Sequence, residues 1–174
     1  KTVKSAIAQQ TATLPKVESL DEAYVAEPKV FKQVSEFSTQ KTKDAHAQLY
    51  KGYVETLNKV SAKLDTVDRG AADSKHSEYR SLKLDEIYNL NATWLHELYF
   101  ANISDLQSNI TMDSLAYMRL SRDFGDFDKW QKDFMACCSA SRCGWAVTYY
   151  NLFTQTYMNA VIDLHSIEVP IGCF

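Results

Sequence analysis

The sequence predicts an α+β fold, in which a long helical hairpin precedes a part built from helices and an antiparallel sheet. Three observations predict it. Residues 40–67 and 77–101 repeat apolar side chains at helical spacing. After Gly144 the chain turns to runs rich in Val, Thr and Tyr, the composition of strands. Only five Gly and three Pro occur in 174 residues, too few for a many-turned all-β fold. Helices and strands segregated along the chain in this way indicate α+β rather than alternating α/β.

Residues 1–36 show no sustained period and are interrupted by Pro15 and Pro28, so they read as an extended N-terminal arm. The first seventeen residues hold Lys1, Lys4 and Lys16 and no acid, but no arginine and no clear apolar face. A flexible tail is therefore favoured over the remainder of an organelle-targeting extension. Ser38 or Thr39 is placed to cap the first helix, whose stripe is His46, Leu49, Tyr50, Tyr53, Leu57, Val60 and Leu64. Gly70 is expected to close it. Ser77 caps the second, which carries Leu84, Ile87, Tyr88, Leu95, Leu98, Tyr99 and Phe100 and becomes apolar on more than one face, as a helix wedged into a core must. A connector over 102–111 leads to a short helix at 113–121, and Asp126 caps another over 127–141. Strands are expected at 145–150 and 154–162 with a turn at 151–153. Two strands alone are marginal in water, so a third should follow, leaving the sheet incomplete at the chain end. The expected organisation is an arm over 1–36, a helical hairpin domain over 37–103, and an α/β domain over 104–174 truncated at the third strand.

Composition excludes several function classes. Hydrophobic residues make up 45% and charged residues 24%, so a packed core is affordable and wholesale disorder is not expected. A net charge of −3 gives no reason to expect nucleic acid as a partner. No run approaches the roughly 20 apolar residues of a membrane span. Cys137, Cys138, Cys143 and Cys173 form neither a C-x-x-C pair nor a disulfide framework, and are expected as buried thiols in a reducing compartment. The N-x-S/T triplets at Asn91, Asn102 and Asn109 are taken as chance.

Four histidines are available for chemistry: His46, His76, His96 and His165. His46 lies on the stripe of the first helix and shares a face with Tyr53, seven residues on. His96 lies in the aromatic end of the second. Two imidazoles on facing helices are one way to hold a metal ion; packed core histidines are the commoner use of such positions. His76, in the polar run 73–77, reads as surface.

The segment from His46 through Tyr53-Val54 to Asn58, and the segment Leu95-His96-Glu97-Leu98-Tyr99-Phe100, resemble the two helical ligand motifs of the iron/manganese superoxide dismutases. The series Arg122-Asp123-Phe124-Gly125, Asp133-Phe134 and Ser139 through Gly144-Trp145-Ala146 is similar to that family in content and order. The resemblance covers residues 37–174. It implies that His46 and His96 are metal ligands, that Tyr53 is the tyrosine whose hydroxyl enters the solvent network at the metal, and that His165 hydrogen-bonds the metal-bound water. Trp145 would line the pocket. The family's remaining Asp and His ligands belong at and beyond the third strand, and no matching stretch occurs up to Phe174. In familiar members the first ligand lies eight residues before the tyrosine, where Ala45 stands here, and Leu49 replaces a histidine of the outer shell.

Two functions follow from the resemblance. One is dismutation of superoxide to dioxygen and hydrogen peroxide at one iron or manganese ion per chain, with the missing ligands supplied. The other is a metal-free, inactive relative serving as a structural subunit of a larger, mitochondrial assembly, its arm draped over a partner. The first implies superoxide as substrate and a homodimer; a mitochondrial matrix or cytoplasmic setting is expected for either.

Overall fold

The computed structural model describes residues 26–33, 36, 38–104 and 109–166. The readings made of residues 1–25, of Cys173 and of a third strand lie outside the described residues. Within them the expected element order is found, as an α+β arrangement of four helices and two antiparallel strands.

Helix α1 spans Gln40–Thr66 and α2 spans Glu78–Ser104. Of the two caps offered by the sequence, Thr39 is used: its Oγ1 accepts from the Thr42 N–H at 3.3 Å. Ser77 Oγ likewise accepts from Arg80 N–H at 3.2 Å. Gly70 does not end α1. The helix stops at Thr66, and Gly70 lies in a separate 3₁₀ turn, Arg69–Ala71, which Asp68 holds by accepting its N–H.

The hairpin packs along two apolar clusters. Tyr50, Val54, Leu57 and Phe100 form one, and Val60, Leu64 and Leu82 form the other near the closed end. Each such side chain contributes roughly 1.5–3 kcal/mol when fully buried. Leu49 of the expected stripe is 50% exposed, while Val54, on the opposite flank, is wholly buried. The buried face is thus rotated slightly from the expected one, and Leu49 is left at its edge. Leu84 and Leu98 are also half exposed; α2 buries Asn89, Asn91, Ala92 and Thr93 instead.

Strands β1 (Gly144–Asn151) and β2 (Thr156–Asp163) pair antiparallel, with Trp145 opposite Ile162 and Val147 opposite Ala160. The turn lies two residues later than expected at its far end, because Asn151 Oδ1 accepts from the Phe153 and Thr154 N–H groups and Gln155 adopts a φ of 55°. Trp145, Val147, Tyr149, Ala160 and Ile162 face Leu95 of α2. The other face meets α3 (Leu115–Phe124) and α4 (Phe127–Ala140) through polar anchors. Trp130 Nε1 donates to Thr148 Oγ1 at 3.0 Å, Asn159 Nδ2 to Asp133 Oδ2 at 2.8 Å, and the Tyr157 N–H to Asp123 Oδ2 at 2.8 Å. Helices on both faces supply the support that a two-stranded sheet lacks alone.

Asp126 caps α4 as expected, accepting from Lys129 N–H at 2.7 Å, and Gly125 takes the φ of 88° that separates α3 from α4. The thiols are less buried than expected: Cys138 and Cys143 are exposed and Cys137 half-buried, since α4 ends at the molecular surface.

Gly144 is required by contact. A Cβ there would stand 1.9 Å from the Ile162 carbonyl oxygen, a backbone atom that cannot move without breaking the ladder. Gly144→Ala is expected to cost at least about 2 kcal/mol in urea denaturation. An unchanged midpoint would show that β2 is not seated as described.

Candidate metal centre

The hairpin brings His46 and His96 to one level, with ring centroids 4.9 Å apart and planes at 76°. His96 is 1% exposed and His46 half-buried. Phe100, one helical turn beyond His96, lies against both rings, at 5.1 and 6.1 Å. From the sheet, the Trp145 ring meets His96 edge-on at 4.8 Å.

His165 arrives from the turn after β2, where Leu164 has a φ of 53°. Its ring lies 4.8 Å from Tyr53 and 5.7 Å from His96. Tyr53, His46, His96 and His165 therefore border one open pocket of about 720 Å³, together with Trp145 and Tyr88. His76 is exposed and far from it in role, as read.

Hydrogen-bond chemistry fixes two tautomers. Nδ1 of His96 lies 2.7 Å from the Ala92 carbonyl oxygen. A carbonyl only accepts, so Nδ1 carries the proton and Nε2 keeps a free lone pair. His165 is the reverse. Trp145 Nε1 only donates, and it lies 3.1 Å from His165 Nδ1. That nitrogen must accept, leaving Nε2–H as the donor. One histidine thus offers an electron pair and the other a proton.

Burial keeps these imidazoles neutral. It lowers His96 from 6.5 to about 4, opposed by the Ala92 carbonyl and reinforced by His46 and His165. Burial alone lowers His46 and His165. Tyr53 is raised, first by burial and then by Tyr88, with which it shares a hydrogen bond, so its hydroxyl stays protonated at neutral pH.

Neutral imidazole suits iron or manganese, and a ligand histidine ordinarily donates its other N–H to a carbonyl, as His96 does. The pair fits such an ion. Among the described residues no group of three or more His, Cys, Asp or Glu is arranged to hold one, so these residues provide two nitrogen donors and not a full coordination sphere.

Sequence reasoning missed Asn91. Only 8% exposed, it donates Nδ2–H to the His165 carbonyl at 3.1 Å and pins the turn that presents that ring. A signal existed: Asn89, Asn91 and Thr93 interrupt an otherwise apolar stretch of α2, and polar groups buried there need partners.

Over 121 residues the chain is 31% identical to the iron superoxide dismutase of Aquifex pyrophilus, covering 68% of the chain and 56% of that protein. Identity to the iron enzyme of Aquifex aeolicus is also 31%, with the same coverage. Against manganese superoxide dismutase 1 of Haloferax mediterranei it is 30% over 115 residues, covering 66% of the chain and 76% of that protein. The chain thus spans little more than half the length of the two Aquifex relatives. No protein-family model matches it.

The histidine shifts dictate an acid response in the metal-free chain. Unfolded His96 titrates near 6.5 and folded His96 near 4, so between these values the unfolded state binds more protons. Stability is full above pH 6.5 and is lost as pH falls towards 4, by up to roughly 3 kcal/mol from this residue. Urea denaturation against pH should show that slope, and His96→Gln should flatten it. An equal slope in the variant would contradict the buried neutral ring.

Proposed function

We propose a function from a plain premise: the chain belongs to the iron/manganese superoxide dismutase family. It dismutes superoxide, and His46 and His96 are the ligands that the helical hairpin contributes to a mononuclear iron or manganese centre. Further protein ligands come from outside the described residues. The observation that carries the reading is the His96 Nδ1–H bond to the Ala92 carbonyl, which leaves Nε2 unprotonated beside His46.

When bound, iron or manganese supplies one-electron chemistry, through which two superoxide ions and two protons become dioxygen and hydrogen peroxide. The chain's own residues bind, orient and hold protons. His46 and His96 remain neutral at physiological pH and so keep lone pairs available. Tyr53 and His165 provide O–H and Nε2–H donors at the same pocket, suited to hydrogen-bonding an anionic substrate and to passing on the protons that peroxide needs. Trp145 holds the His165 tautomer, and Asn91 holds its backbone. Half-exposed Leu49 and exposed Cys138 edge the opening, through which a small anion can enter.

Metal analysis and superoxide consumption on the natural full-length protein test this. About one iron or manganese per chain is expected, with His96→Ala losing metal and roughly 100-fold in activity while exposed His76→Ala keeps both. A natural protein that neither carries nor takes up either metal on reconstitution would overturn the reading in favour of an inactive structural relative.

A further inference from the structure

We infer that residues 26–33 form a strap that sets the orientation of the imidazole pair, with Lys29 and Glu97 as positioning residues. This rests on the metal-site reading above.

The strap is neither helix nor strand, yet it crosses both long helices with specific bonds. At one end Asn58 of α1 clasps Ala26 twice: its Oδ1 accepts the Ala26 N–H at 2.7 Å and its Nδ2 donates to the Ala26 carbonyl at 2.9 Å. Further along, the Lys29 N–H donates to the Tyr50 hydroxyl at 3.0 Å, and that hydroxyl donates to Glu97 Oε1 at 3.0 Å. Lys29 Nζ closes the circuit on Glu97 Oε2 at 2.5 Å. Both oxygens of Glu97 are engaged, one from α1 and one from the strap.

Position makes this more than a surface ion pair. Glu97 directly follows His96, so anchoring its carboxylate restrains rotation of α2 about its axis at the ligand's own level. Tyr50, 3% exposed, stacks on the His96 ring at 6.2 Å with planes 29° apart. Phe31 of the strap packs on Tyr50 at 6.4 Å and on Phe100 at 5.6 Å, and Phe100 lies against both imidazoles. The strap thereby backs the aromatic wall on which the donor pair rests. Groups hydrogen-bonded to a ligand are worth roughly 10–100-fold in metal affinity, and the strap, which acts on the rings through Tyr50 and Phe100, is expected at the low end of that range, while an exposed lysine contributes little to global stability.

The test uses the natural full-length protein stripped of metal, with cobalt(II) alone as probe. Lys29→Met is expected to shift the His96 ring resonances in the metal-free protein and weaken cobalt binding about 10-fold, with melting temperature held within about 3 °C. Lys29→Arg should restore both, and Val30→Ser, at a strap position 97% exposed, should change neither. Unmoved His96 resonances in Lys29→Met would overturn the strap, as would an effect reproduced by Val30→Ser. A parent protein that takes up no cobalt but whose His96 resonances move in Lys29→Met would retain the strap and defeat the metal reading instead.

Discussion

The bond from His96 Nδ1–H to the Ala92 carbonyl is the constraint on which the site depends. It costs nothing in sequence, because the acceptor is the helix's own backbone one turn earlier. It decides, however, which ring nitrogen has a lone pair, and it locks the ring where His46, Trp145 and Phe100 can pack around it. Were Nδ1 left unbonded, the proton would exchange between the ring nitrogens and the donor pair would lose its definition. Burial cooperates by suppressing the protonated ring, which has no lone pair at all.

The fold serves this bond by convergence. The hairpin holds two imidazoles at one height, and the sheet reaches the same point by way of Leu95 and Ile162, bringing Trp145 and His165 with it. Opposite tautomers on His96 and His165 then divide the pocket into an electron-pair side and a proton side. Gly144 allows β1 to approach β2 closely enough for Trp145 to enter that space. The anchors from α3 and α4 on the far face keep the small sheet from drifting away.

Much of this was legible in the sequence. The two long helices, the caps Thr39, Ser77 and Asp126 and the strand pair followed from period and capping residues, and the meeting of His46 with His96 from the family resemblance. What escaped was long-range or backbone-borne. Asn91 and His165 are 74 positions apart, and Lys29 and Glu97 are 68 apart; neither separation leaves a local pattern. The Ala92 carbonyl has no side-chain signature whatever. Leu49 looked like core because period alone cannot say which flank of a stripe the neighbouring helix covers. The thiols were expected to be buried because they form no disulfide or zinc pattern, and spacing of that kind says nothing of exposure: Cys138 and Cys143 are exposed and Cys137 half-buried.

Nitrogen-15 NMR of the histidine rings measures the central claim directly. At neutral pH the metal-free protein should give His96 as the Nδ1–H tautomer and His165 as the Nε2–H tautomer, each a single neutral species. Both rings in the same tautomer, or His96 averaged between the two, would contradict the account, since the His96 Nε2 lone pair would then not be fixed.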